Sequence, residues 1–116
     1  MNNDKLYFNI KENSFLARLG AIKLREKRMA LTLGRTIHLY NVSKNTFFES
    51  PGWVCHELQH IEQCRRMGII KFLWKYIYYS ARYGYFNNPM EIEARAAERD
   101  IALLEKYDVK RFSDIA

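Results

Sequence analysis

The sequence predicts an α+β fold, mostly helical, with a β-hairpin preceding the helix that carries His56-Glu57-Leu58-Gln59-His60. Three observations lead there. Residues 29–33 and 36–40 are β-rich runs joined by Gly34-Arg35, the pattern of a hairpin with a tight turn. Ser50-Pro51 is a helix start, with Ser at the N-cap and Pro at the first helical position, where its missing N–H costs nothing. Beyond residue 50, apolar residues recur mainly at spacings of three and four, the helical period.

Taken in order, residues 6–10 alternate enough for a short strand. Asn13-Ser14 offers an N-cap, and Phe15, Leu16, Leu19 and Ile22 follow at helical spacing to about residue 25. After the hairpin, residues 42–48 read as irregular, because Asn, Ser and Lys break the pattern. The helix from Pro51 has Val54, Leu58 and Ile61 on its apolar face and stops at Gly68. An aromatic-rich helix over 69–83 is expected to pack against it, and residues 84–88 to turn. Asn88-Pro89 then opens a last long helix over 89–107, with Ala94, Ala97, Ile101 and Leu104 as its apolar stripe. A final turn is expected over 109–112.

The 116 residues leave room for one domain, read as 1–116 without a linker. A chain of this size buries roughly two thirds of the surface its unfolded form exposes. The formal charge of +6 comes from 19 Lys and Arg against 13 Asp and Glu, scattered along the chain. That distribution reads as a solvated surface, and no nucleic-acid partner is expected. No run of roughly eighteen apolar residues is present, so no membrane span is expected. The first five residues show no secretory signal pattern. Cys55 and Cys64 emerge on opposite sides of one helix and cannot bridge, and two unpaired cysteines imply a reducing, cytoplasmic setting. Cys64 reads as a buried small hydrophobe.

His56 and His60 carry the chemistry. Four apart on a helix, they stand one above the other with about 6 Å between Cβ atoms, close enough to share one tetrahedral Zn²⁺. Glu57 lies about 100° round the helix, too far to complete the ligand set but able to point at a water on the ion as general base. A third protein ligand is required, and no histidine follows His60, so it must be a carboxylate. Glu62 is on the wrong face of the same helix, and Glu98, Asp100 and Glu105 lie deep in the last one. Glu91 and Glu93, early in that helix, remain, with its positive dipole end helping to keep either ionised.

His56-Glu57-x-x-His60 followed by Asn88-Pro89-Met90-Glu91-Ile92-Glu93-Ala94 resembles the gluzincin group of zinc metallopeptidases, in particular small single-domain members. Gln63, Phe72-Leu73 and Tyr76 match the segment between the two motifs, and residues 33–37 are similar to the hairpin before the metal helix. The likeness covers roughly residues 29–98 and implies a zincin-like fold. It further implies Glu91 as the third ligand, with Glu93 as the alternative, and one Zn²⁺ per chain. In such proteins the residue four beyond that glutamate braces a metal-bound histidine. Here that residue is Arg95, which cannot accept a proton from an imidazole. Glu93, an asparagine or a backbone carbonyl must then serve as the acceptor.

The resulting expectation is a zinc metallopeptidase acting on a peptide or protein substrate, with Glu57 moving the proton. Tyr83, Tyr85 and His38 are candidate donors to the developing oxyanion. Residues 36–40, taken as the hairpin's edge strand, would pair with an extended peptide. The alternative is a non-catalytic zincin-fold module that binds metal or a protein partner.

Overall fold

In the computed structural model, which describes residues 6–109, a mixed four-stranded sheet carries helices that hold the His56–His60 pair away from the sheet. The strands are β1 (Leu6–Lys11), β2 (Met29–Leu33), β3 (Thr36–Tyr40) and β4 (Tyr107–Val109), in the order β2-β3-β1-β4. β2 and β3 form the expected antiparallel hairpin. Leu33 pairs with Thr36, so Gly34-Arg35 makes a two-residue turn, and Gly34 adopts the positive φ of 67° that such turns require. β1 runs parallel to both β3 and β4. The edge strand of the hairpin is therefore β2. β3 was expected at the edge, but it lies inside the sheet because β1 returns to pair with it, a long-range choice that hairpin chemistry does not encode.

α1 (Phe15–Leu24) is fastened by its cap. Ser14 Oγ accepts from Ala17 N, its backbone N–H donates to Leu39 O at 2.9 Å, and Oγ meets His38 Nδ1 at 2.8 Å. The helix turns its small residues, Ala17, Gly20 and Ala21, toward the sheet; a Cβ added at Gly20 would meet Leu31 Cδ1 at 3.2 Å. Residues 42–48 contain a short helix, α2 (Lys44–Phe48), rather than irregular chain. Ser43 caps it, and Phe47, fully buried, anchors it edge-on to Trp53 at 5.2 Å. A five-residue helix held by tertiary contacts, with Phe48 also against Phe8 and Lys44 N donating to Glu12 Oε2 at 2.7 Å, has no period to read.

α3 (Pro51–Met67) and α4 (Ile69–Tyr83) follow the expected bounds, joined by Gly68 at φ 83°. Ser50 stands at the start of α3, but its side chain makes no capping bond; Pro51 and the Ser50 carbonyl begin the helix. Val54, Leu58 and Ile61 pack under the sheet in a core with Phe8, Ile37, Leu39 and Phe47. Cys55 and Cys64 are buried free thiols, and Cys64 packs with Phe72 and Met90 as a small hydrophobe.

α4 meets α3 through a narrow strip. Phe72 is buried and Tyr76 and Tyr79 partly so, while Ile70, Trp74 and Ile77 face outward. α4 packs against α3 as expected, with its Phe72 side alone making the contact.

The last helix is broken. α5 (Pro89–Ala96) gives way to a 3₁₀ turn (Ala97–Arg99), and Asp100 caps a new helix, α6 (Ile101–Lys106). Asp100 Oδ1 accepts from Ala102 N at 3.1 Å, while Cys55 Sγ donates to Asp100 O at 3.5 Å. An aspartate whose side chain competes for backbone donors favours a cap over a helix interior. Tyr107–Val109 then forms β4 in place of the expected turn, whose remaining residues, 110–112, lie outside the described residues. Glu62, which also accepts from Arg65 Nη2 at 2.9 Å within α3, ties that helix to this end of the chain by accepting from Tyr107 Oη at 2.9 Å and Lys106 Nζ.

The two sides of this architecture differ in what they contribute. Leu58→Ala, removing a side chain 1% exposed, should cost about 2–5 kcal/mol in equilibrium denaturation, whereas Ile70→Ala, at 69% exposed, should stay within about 0.5 kcal/mol.

Candidate metal centre

His56 and His60 stand on the face of α3 away from the sheet, their ring centroids 5.1 Å apart. Glu91 is brought to them by Asn88-Pro89. Asn88 is fully buried; its Oδ1 accepts from Met90 N at 2.8 Å, and its Nδ2 donates to Ser80 Oγ at 2.9 Å and Tyr76 O at 3.2 Å. That residue caps α5 and locks its start onto α4, so the first-turn carboxylate reaches the imidazoles. Glu91 Oε1 lies 2.9 Å from His56 Nε2, and Oε2 lies 3.2 Å from His60 Nε2. The ligand atoms of His56, His60 and Glu91 all fall within 4.8 Å of one another, so this group could hold a metal ion.

The hydrogen bonds behind the triad decide which ring atoms face it. Gln63, buried, donates through Nε2 to Met90 O at 3.0 Å and Glu93 Oε1 at 2.8 Å, which turns its Oε1 toward His60 Nδ1 at 2.8 Å. Glu98 Oε2 lies 2.8 Å from His56 Nδ1 and, as a carboxylate, accepts. Both rings are thereby set with Nδ1–H outward and Nε2 inward, the orientation that makes imidazole a ligand. Two nitrogen lone pairs and a carboxylate then converge in a buried space, a donor set that fits a divalent cation with a position left for water.

Protonation equilibria report the same field. Burial pulls the His60 pKa down, but the Glu91 carboxylate and the charge of Glu57 outweigh it and carry it up to about 9. His56 moves the same way: burial lowers its pKa, and the bond to Glu91 and the charge of Glu57 raise it further. Burial would raise the Glu91 pKa, yet the two imidazoles hold it well below the usual carboxylate range. The same negative field would favour a divalent cation, which would have to displace those protons to reach the ring nitrogens.

Glu57 is buried next to the triad, and Thr32 Oγ1 on β2 donates to its Oε1 at 2.7 Å. Burial pushes the Glu57 pKa up, opposed by the charges of His60 and His56. Glu93, the alternative ligand, instead accepts from Gln59 at 3.1 Å, Gln63 and Arg66 at 3.3 Å, outside the triad.

Two contributors escaped the sequence reading. Glu98, set aside as too deep in the last helix, provides the acceptor that Arg95 cannot. The signal was only its spacing, seven residues or about two helical turns beyond Glu91; in the structure it sits in the 3₁₀ turn after α5, which passes α3 beside His56. Arg95 turns away, donating to Phe86 O at 2.6 Å with its guanidinium 3.9 Å over the Phe86 ring. Tyr76, noted only as a motif match, donates to Glu91 Oε2. Burial and the Glu91 charge push its pKa up, so it stays a donor.

Of the three candidate oxyanion donors, Tyr85 lines the space beside Glu57, its pKa pushed up by burial and by Glu91 and Glu57. Tyr83 packs on Tyr79, and His38 is engaged with Ser14 across the sheet. Two cavities meet at Glu57 and Tyr85. One, about 230 Å³, has Glu57, His60 and Glu91 at its polar end and walls of Leu16, Leu31, Phe72 and Leu73. The other, about 370 Å³, is flanked by Arg28, Trp53, His56 and Glu98.

Comparison with protein-family models, curated proteins and solved structures finds no match to this chain. The donor set and its surroundings therefore carry the functional argument.

Equilibrium dialysis followed by elemental analysis should find one divalent ion per chain, lost in His56→Ala and Glu91→Ala. Glu98→Ala should weaken binding by about 10–100-fold, the usual effect of losing the partner of a ligating histidine. Retention in Glu91→Ala with loss in Glu93→Ala would transfer the ligand role to Glu93.

Proposed function

We propose that this protein is a zinc-dependent peptidase of the zincin type, cleaving peptide bonds with Glu57 as general base. The observation that carries the reading is the Thr32–Glu57 bond of 2.7 Å beside the triad. A module that only stored or sensed metal would have no use for a buried, positioned carboxylate that is not itself a ligand.

His56, His60 and Glu91 would hold the ion, and bound zinc would supply Lewis-acid polarisation of water and carbonyl. The remaining work falls to the chain. Thr32 occupies Glu57 Oε1, which leaves Oε2 to take a proton from the attacking water and return it to the departing amine. Tyr85, kept protonated, is the candidate to donate to the oxygen on which charge develops. Tyr76 holds Glu91 through Oε2 so that the carboxylate keeps its orientation.

An extended peptide suits the surroundings. β2 is the edge of the sheet and carries Thr32, so a substrate strand pairing with it would run past Glu57. The 230 Å³ cavity exceeds the ~150 Å³ that accommodates a benzene ring, and its apolar walls favour a large aliphatic or aromatic side chain.

The test is hydrolysis of a library of unstructured peptides by zinc-loaded protein. Glu57→Gln should retain one zinc per chain and lose about 10²–10⁴-fold in rate. If wild-type protein holds zinc and cleaves nothing across the library, the peptidase reading fails and a non-catalytic metal-binding module replaces it.

A further inference from the structure

α1 and α4 are amphipathic in an inverted sense: each turns outward large apolar side chains that would ordinarily form a core. Phe15 and Ile22 on α1, and Ile70, Trp74 and Ile77 on α4, are between 62% and 71% exposed, and among the described residues no element packs over them. The two stripes are neighbours. Leu16 on α1 and Leu73 on α4 line the same 230 Å³ cavity, so the stripes flank the opening that leads to Glu57 and Glu91. Exposed apolar area of this extent marks a surface that meets something.

Charge says what. Residues 13–25 and 63–90 contain no Asp or Glu, although the chain holds 13 of them. The same segments carry Arg18, Lys23, Lys71, Lys75 and Arg82, none of them in an ion pair with a described residue. On α4 the exposed Tyr78 accompanies Trp74, and the basic residues follow round the helix from the apolar stripe. Apolar side chains beside Trp and Tyr, with lysines whose stems can lie along the surface while the ammonium reaches phosphate, is the composition of an interfacial helix. A second copy of this chain fits poorly, because a two-fold contact would set cation against cation. Among the described residues no helix is long and apolar enough to cross a membrane, and the contact proposed here is a peripheral one.

We propose that α1 and α4 together form a docking face for an anionic phospholipid bilayer, which sets the mouth of the metal-site cavity against the membrane surface. Docking does not depend on the hydrolytic chemistry proposed above. If that chemistry holds as well, the peptides that reach Glu57 are apolar segments emerging at the lipid interface.

The experiment is co-sedimentation of the full chain, zinc-loaded and metal-free, with vesicles of phosphatidylcholine mixed with phosphatidylglycerol and with vesicles of phosphatidylcholine alone. The protein should pellet with the mixed vesicles in both metal states and much less with phosphatidylcholine. Lys71→Gln with Lys75→Gln should lower the partition coefficient by roughly tenfold or more, each cation near an anionic surface contributing about fivefold. Trp74→Glu with Ile77→Glu should abolish binding, with an unchanged circular dichroism spectrum and metal content showing that the fold persists. No pelleting with either vesicle, equal pelleting with both, or wild-type binding by the Trp74→Glu/Ile77→Glu variant would overturn the proposal. So would a dimer in sedimentation velocity that the same variant dissolves without any vesicle binding. Because vesicle binding is read without substrate, its failure is distinct from failure to cleave peptides.

Discussion

Most of the polar architecture exists to hold one carboxylate, Glu91, between two imidazoles in a buried place. Left alone, such a group would lose its charge to desolvation. It keeps that charge because His56 and His60 face it at 2.9 and 3.2 Å and Tyr76 donates to it. Each histidine is in turn held from behind, His60 by Gln63 and His56 by Glu98. Gln63 is fixed by Met90 and Glu93, so the chain of donors and acceptors closes back on the helix that carries Glu91. A network satisfied at every member specifies one geometry, and removing a member leaves a buried polar group unpaired.

The fold serves this arrangement by dividing α3 between two tasks. Val54, Leu58 and Ile61 bind the helix to the sheet, while His56, His60 and Gln63 turn to the opposite side. The core therefore sets the position of His56 and His60 without including them. β2 joins the two sides, because Thr32 reaches from the sheet edge to Glu57. Helix caps supply the remaining precision: Asn88 aims α5 at the triad, and the cap at Asp100 ends the turn that carries Glu98.

The outward faces of α1 and α4 answer to a different constraint. Ala17, Gly20 and Ala21 let α1 lie close on the sheet, and Phe72 and Tyr76 connect α4 to the site. Little more is needed for folding, so Phe15, Ile22, Trp74 and Ile77 are free for contact outside the chain. Their position beside the cavity mouth joins the proposed location of the protein to the access route of its site.

The spacing of His56, Glu57 and His60, the Ser50-Pro51 and Asn88-Pro89 starts, the Gly68 stop and the Gly34-Arg35 turn determined by themselves where α3, α4 and the hairpin lie and that a carboxylate from the last helix was wanted. These are local signals: helical period, proline geometry and glycine's positive φ act within a few residues. Tertiary structure decided what depends on distant partners. It put β2 rather than β3 at the sheet edge, ended the last helix early at Asp100, folded residues 44–48 around the buried Phe47 and left the α4 stripe uncovered. It also settled the acceptor that Arg95 could not provide. Glu98 is one of several glutamates in the sequence, and only the crossing of α3 by the end of the α5 segment brings it within 2.8 Å of His56.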